Sequence, residues 1–473
     1  MATHLIDKIK KILENKFVYD SRNYLLAEVL SKSVIFILLP IFTHLLTPDE
    51  YGVLSIFNSI VTIFGVIVGV NFHSSLSRKI YSKDIDLPEF IWSNLAFLLV
   101  LQAVIVFTIL VFGDYLSILL RIDRNIILIA IIVSCLGFYI DLLKAYFQSF
   151  QISKSFLILT VLYNILLNLI SLIWVLYLSD QRYLGKVYAQ VLVTIIIGLY
   201  SFYYLTQKSE RIFKFKHVKY SLLIGLPLIP HALSSFILNE FDKVMINSIS
   251  GSYDAGIYSI SYSIGMIMMF FVIALNNAWV PVFYNHFNNG SLDKINKLAS
   301  IYSGFMALIA SNLIIFSYEI VLILTDTEYL IASEIVPLII LSYYFVFLYT
   351  LYAQYSIFYK KTLTISIFTL ICGTLNIILN YLFIPKFGYK VAAVTTLISY
   401  ILLWLLHYVF SINVSKSRSI RIKYLYKSIS LVILCTIFVY SFNYFNFDLI
   451  YKFLLSTITI AIFLRKLTKG GFV

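Results

Sequence analysis

The sequence predicts an all-α polytopic membrane protein of about 14 transmembrane helices, arranged as two parallel six-helix lobes around a central cavity plus a C-terminal helix pair. Three observations predict it: the composition, the regular recurrence of apolar stretches, and an internal repeat. Of the 473 residues, 60% are hydrophobic and only 12% charged, too few polar side chains to cover soluble domains of that total size. The mean hydropathy of +0.91 is an average over the whole chain, so apolar segments recur from end to end.

A hydrocarbon core of about 30 Å takes about 20 helical residues. Cutting the chain at polar and turn-forming clusters gives fourteen spans, beginning near Asn23, Tyr51, Phe90, Asn125, Phe156, Leu184, Ser221, Ala255, Leu298, Ile335, Leu363, Val391, Tyr424 and Leu449. They organise as an amphipathic cytoplasmic segment (1–22), an N-terminal lobe (23–205), a basic linker (206–220), a C-terminal lobe (221–412), a second basic loop (413–423), and the last two spans with a tail (424–473). In the first of these, Lys8, Lys10, Lys11 and Lys16 interleave with Leu5, Ile9, Ile12 and Leu13, as in a helix lying on a membrane surface. It lacks a small-residue cleavage site, which predicts an uncleaved chain with a cytoplasmic N-terminus.

Charge sorting supports this layout. With the N-terminus inside, 27 of the 36 Lys and Arg fall on the cytoplasmic side and 7 outside, with Lys32 and Lys243 inside spans. The net charge of +13 therefore reads as topology rather than nucleic-acid binding. The loops Lys208–Lys219 and Lys416–Lys427 are strongly basic; topology signalling and contact with anionic lipid explain them, and docking of a phosphorylated glycolipid or partner enzyme is the alternative. Cys135, Cys372 and Cys435 sit in apolar runs without metal-ligand spacing and read as packing residues.

The repeat lies at the start of the second and eighth spans. Glu50, Gly52 and Ser55 recur as Asp254, Gly256 and Ser259 at an offset of 204, and Asn71/Asn276 and Tyr81/Tyr284 nearly keep it. Six spans separate the copies, so the lobes share one orientation, related by an axis along the membrane normal. Each acidic-x-Gly is expected to form a tight external turn, with Gly supplying the backbone angles and the carboxylate favouring the next helix N-terminus.

Charges inside the membrane cost at least about 2.5–3.5 kcal/mol each and so mark partners or function. Glu28 and Lys32, four apart, share a helix face; they fit either a neutralised structural pair or a cavity pair in which Lys32 receives pyrophosphate and Glu28 couples to an ion. Asn239, Glu240, Asp242 and Lys243 crowd about one turn of the seventh span, a density that cannot face lipid; Glu240 and Asp242 are candidates for ion coupling or ion pairing, Asn239 and Lys243 for lining the cavity. Pro227 and Pro230 precede them and predict a kink that could gate. Arg78 and Lys79 follow the second span at the inner mouth, where they fit pyrophosphate binding and positive-inside anchoring equally well. Asn276 is a further cavity candidate. Glu319, His44, His73, His231, His286 and His407 are expected to be polar packing or interfacial residues. Gly65 and Gly69 predict close helix packing.

Several stretches resemble the Wzx-like O-antigen and capsular repeat-unit flippases of the multidrug/oligosaccharidyl-lipid/polysaccharide export superfamily. They are Leu45–Gly52, Gly225–His231 (Gly-Leu-Pro-Leu-Ile-Pro-His), Asp242–Ile246, Ala255–Ser259 and Asn276–Pro281. The resemblance implies alternating access around a cationic cavity, carrying undecaprenyl-pyrophosphate-linked oligosaccharide from the cytoplasmic to the outer leaflet of a bacterial inner membrane for lipopolysaccharide or capsule. It also implies contact with membrane lipids, a polysaccharide polymerase and a chain-length regulator as candidate partners, no cofactor, and H+ or Na+ as candidate counter-ion. A cation-coupled multidrug antiporter and a peptidoglycan-precursor flippase of the same superfamily remain as alternatives. A polytopic glycosyltransferase or polymerase is disfavoured: Asp84-Ile85-Asp86 is formally a metal-binding DxD but sits in a short loop with no nucleotide-binding domain, so the chain is expected not to be an enzyme.

Overall fold

The computed structural model describes residues 16–82, 86–416, 418–445 and 449–469. The surface helix expected within 1–22 therefore falls mostly outside the described residues, as do Asp84 and Ile85 of the DxD. The described residues contain helices and no strand.

Among the described residues, twelve helices are long and apolar enough to cross a membrane. The first six spans are α1 (Lys16–Leu45), α2 (Pro48–Gly69), α4 (Leu87–Leu120), α5 (Arg124–Ser149), α6 (Ser153–Tyr177) and α7 (Tyr183–Gln207), with short α3 (Phe72–Tyr81) continuing α2. The seventh is α8 (Phe215–Gly225) and α9 (Ile229–Ser250), joined by a 3-10 turn at Leu226–Leu228; the eighth is α10 (Ser252–Gly265) and α11 (Ile267–Asn288). α12 (Leu292–Ile315) is followed by short α13 (Ser317–Leu324), then α14 (Val336–Phe358), α15 (Leu363–Phe387) and α16 (Val391–Val414). The two expected terminal spans are the helices α17 (Tyr426–Phe445) and α18 (Leu449–Lys469).

Two compact units result, 1–233 and 234–473, and the division falls inside the broken seventh span. In the first unit α5 is the most buried long helix, packed by α2, α3, α4 and α7, while α6 joins α1 to α7. In the second, α14 holds the centre: 83% of its membrane window is buried, against 28% for α15. It touches α10, α11, α12, α16 and α17. Leu, Ile and Phe on the remaining faces stay exposed, for instance Phe107, Ile118 and Ile173 in the first unit, as lipid contact requires.

The repeated motif has a different basis from the one the sequence suggested. Thr47 caps α2 in a capping box: its hydroxyl accepts from Glu50 N–H at 3.4 Å and the Glu50 carboxylate accepts from Thr47 N–H at 3.1 Å, with Pro48 opening the helix. The acidic residues do sit in first turns, Glu50 of α2 and Asp254 of α10. Gly52 and Gly256, however, lie inside those helices and are buried, so close packing rather than unusual backbone angles accounts for them. The left-handed turn of the second copy belongs to Gly251, at φ 103°.

Candidate functional site

Residues 239–243 of α9 point their polar groups to different sides. Asp242 is 1% exposed, and its carboxylate accepts three hydrogen bonds from neutral side chains: Tyr258 OH of α10 at 2.9 Å, Asn380 Nδ2 of α15 at 2.6 Å and Thr396 Oγ1 of α16 at 2.5 Å. A second tier supports these donors. Asn380 donates also to Asn376 Oδ1 and accepts from Thr395, while Asn376 donates to Thr396. A buried carboxylate is tolerable only with such donors, and four helices converge to supply and hold them.

Lys243, next in the chain, is turned away from Asp242. Its ammonium pairs with Glu240 at 2.7 Å and lies 5.1 Å from the Tyr262 ring centroid. Asn239 accepts from Tyr400 OH at 3.1 Å. The structure thus brings the four seventh-span candidates together but separates their roles: Lys243 is neutralised by Glu240, whereas Asp242 is satisfied by neutral partners alone among its hydrogen bonds. Asn276, on α11 of the same unit, accepts from Gln354 of α14 at 3.4 Å and stands apart from this network.

In the first unit Glu28 and Lys32 form the expected i,i+4 pair at 3.4 Å, Glu28 exposed and Lys32 half-buried. Arg78 is exposed at the end of α3, while Lys79 is buried, with its ammonium 5.7 Å from the Tyr220 ring of α8. Pro227 occupies the 3-10 turn that breaks the seventh span, and Pro230 opens the helix beyond it. The break abuts a second one: Val70 and Asn71, joining α2 to α3, both take left-handed angles (φ 46° and 52°), and a Cβ on Gly225 would lie 2.0 Å from the Val70 carbonyl oxygen.

The basic linker is partly neutralised by neighbours that its sequence does not announce. Lys214 pairs with Glu89 at 2.5 Å and Lys216 with Asp86 at 2.9 Å, tying the linker to the start of α4. The hydrogen bond from Lys216 holds the Asp86 carboxyl below the usual carboxylate range. Asp86, Glu89 and His217 present ligand atoms within 4.8 Å of one another, but the two lysines already engage the carboxylates.

The first unit also holds an open cavity of about 650 Å³; of its lining the sequence singled out Gly65, Asn71 and His73, none of them as a binding residue. Asn71, His73, Gln148, Tyr163 and Gln190 line it with groups that donate or accept hydrogen bonds, and Phe138 and Phe156 add ring surface. Its charged residues, Asp141 and Lys144, pair at 3.3 Å. Neutral hydrogen-bonding side chains interleaved with aromatic rings form a lining suited to hydroxylated ligands.

Residues 20–287 match the family described as "Polysaccharide biosynthesis protein", and residues 227–382 match the MatE family. Lsg locus putative protein 1 of Haemophilus influenzae is 24% identical over 278 residues, covering 57% of this chain and 66% of that protein. An uncharacterized membrane protein of the same organism is 20% identical over 280 residues, 58% of this chain and 67% of that one. Among solved structures, lipid II flippase MurJ in an inward closed conformation superposes with a TM-score of 0.71 at 16% identity, over 94% of this chain and 98% of the other. An outward-facing multidrug resistance MATE transporter of the MOP superfamily superposes at 0.56 and 14% identity, over 85% and 96%. The chain therefore belongs to the polysaccharide biosynthesis protein family and shares the fold of these solved structures.

Proposed function

We propose that this protein flips undecaprenyl-pyrophosphate-linked oligosaccharide repeat units across the inner membrane by ion-driven alternating access, for surface polysaccharide such as O-antigen or capsule. Sugar hydroxyls and a pyrophosphate cannot enter hydrocarbon unassisted, so a carrier must offer them polar partners while the lipid tail stays in the bilayer. The family match over 20–287 supports polysaccharide export as the setting. The observation that carries saccharide over drug is the first-unit cavity: its neutral amides, hydroxyls and rings suit sugars, and its one carboxylate, Asp141, is balanced by the pairing Lys144.

Asp242 is our candidate for the coupling site. A carboxylate held in a dry place by neutral donors is stabilised by taking up a proton or Na+, and its donors lie on three helices besides its own, so occupancy changes how firmly α9 is held against α10, α15 and α16. The half-buried Lys32 and the exposed Arg78 are candidates for receiving pyrophosphate.

Deleting the gene in its native host tests this, with surface polymer and lipid-linked intermediates as readouts and complementation by wild type, Lys32→Ala and Asp242→Asn. The expected result is loss of surface polymer with repeat units retained on the cytoplasmic side, restored by wild type and not by Asp242→Asn at equal abundance. Unchanged polysaccharide with altered drug tolerance would reject the reading in favour of a multidrug antiporter, for which the MatE match over 227–382 is the supporting observation.

A further inference from the structure

The terminal helix pair takes no part in the transport step proposed above, yet it is firmly built in. Along one half of its length α18 is fastened to α12 and α13. Lys452, 3% exposed, pairs with Glu319 at 2.7 Å; Ser456 donates to Asn312 at 2.6 Å, and Asn312 donates to Thr459 at 3.3 Å. α17 is tethered separately, with Tyr440 donating to the Glu334 carbonyl at 2.6 Å and Ser300 donating to the Tyr424 carbonyl at 2.8 Å. At the other end a groove of about 700 Å³ lies between α12, α17 and α18.

That groove has two distinct zones. Lys297, Lys423, Lys427 and Arg465 bring four cations from three separate stretches of chain, and its lining residues include no carboxylate. The floor is apolar, made by Ile301, Leu431, Ile462 and Phe463, with small Gly304 and Ala307 on α12 leaving room beside them. A free anion would use the cations and have no use for the floor; a neutral lipid would use the floor only. We infer that this groove is a binding site for an anionic phospholipid of the cytoplasmic leaflet, its phosphate held by Lys297, Lys423, Lys427 and Arg465 and an acyl chain lying along Ile301, Leu431 and Ile462. The fastening of α18 to α12 and α13 keeps the groove open, so the lipid is a resident that mortars the terminal pair to α12, independent of what the protein carries. Each basic residue near a membrane surface contributes about fivefold to binding of an anionic lipid.

The test uses the full-length protein in nanodiscs of equal parts phosphatidylethanolamine and phosphatidylglycerol, with native mass spectrometry counting the lipids retained on release. Wild type is expected to keep one phosphatidylglycerol. Lys423→Gln/Lys427→Gln is expected to lower retention about 25-fold, and Ile462→Asn to lower it with all four cations intact. Lys360→Gln/Lys361→Gln, which removes two exposed cations elsewhere, is expected to leave retention unchanged. Equal retention by wild type and the groove variant would overturn the inference, as would equal loss from the Lys360/Lys361 control, which would mean general charge attraction. Displacement by excess inorganic phosphate would reassign the cations to a free anion, and displacement by equimolar undecaprenyl pyrophosphate would reassign the groove to the transported lipid. All these variants change exposed side chains, so each is expected to elute and melt in detergent as wild type does.

Discussion

Asp242 and its neighbours allow a separation of stability from transport at single-residue resolution. Asp242→Asn keeps the shape and still accepts through its amide oxygen, so its melting temperature in detergent should stay near wild type while ion-driven transport is lost. Asp242→Ala leaves the Tyr258 and Thr396 hydroxyls without their acceptor and Asn380 with Asn376 alone, and each buried orphan costs about 1–3 kcal/mol, so this variant should melt well below wild type. Equal melting of the two would mean that the network is not closed around Asp242. The carboxylate was legible in the sequence because a charge in an apolar run is costly and therefore rare. Its donors were not, since a lone Asn, Thr or Tyr in such a run is commonplace, and only the fold brings residues 242, 258, 380 and 396 together. Glu319 and Lys452 repeat the lesson. The sequence reads Glu319 as a polar packing or interfacial residue without naming a partner, and the structure pairs it with the buried Lys452. Lys452→Met alone should destabilise by about 2 kcal/mol, and adding Glu319→Gln should recover most of it, read as melting temperatures. At the surface, the lowered carboxyl of Asp86 means that its pair with Lys216 is complete above the ordinary carboxylate range and is lost as pH falls through the depressed value. Salt and acid should therefore loosen the linker, measured by proteolysis there, while a shift from pH 6 to pH 8 should not.

Helix breaks carry the next level of behaviour. The kink expected from Pro227 is there, as a 3-10 turn, because a proline removes a backbone donor and cannot continue the helical ladder. The matching break at Val70–Asn71 carried a weaker sign: Asn tolerates left-handed angles but the β-branched Val70 does not, and what permits the break is Gly225, whose missing Cβ lets the two broken helices touch. Gly225→Ala should consequently abolish the folded protein or strongly lower its melting temperature. Gly65→Ala is the contrasting case, because nothing lies within 4 Å of a Cβ there; it should be neutral, or stabilise by about 0.5–1 kcal/mol as Ala replaces a helical Gly. The pair Gly65 and Gly69 was thus half legible: Gly69 is pressed against the Phe138 ring, and Gly65 borders the first-unit cavity. Capping was only partly read. Thr47 and Glu50 form a capping box, and Thr47→Ala should cost α2 about 1 kcal/mol.

For the whole molecule, hydropathy located the twelve long apolar helices found among the described residues, since lipid imposes a length on every span, and charge sorting adds an expected orientation for the basic loops. Neither rule reports on internal cavities, which arise where side chains from helices distant in sequence fail to meet; the first-unit cavity, joining residues as far apart as Val61 and Gln190, is of that kind. In the proposed function, saccharide moves on this fold at the expense of an ion gradient. Its most direct test is the purified protein in proteoliposomes carrying lipid-linked oligosaccharide from the host, with an H+ or Na+ gradient imposed and a sugar-specific probe reading the leaflet. The account predicts gradient-dependent translocation that Asp242→Asn abolishes. Saccharide that stays in its leaflet under either gradient, while a cationic dye crosses, would contradict it.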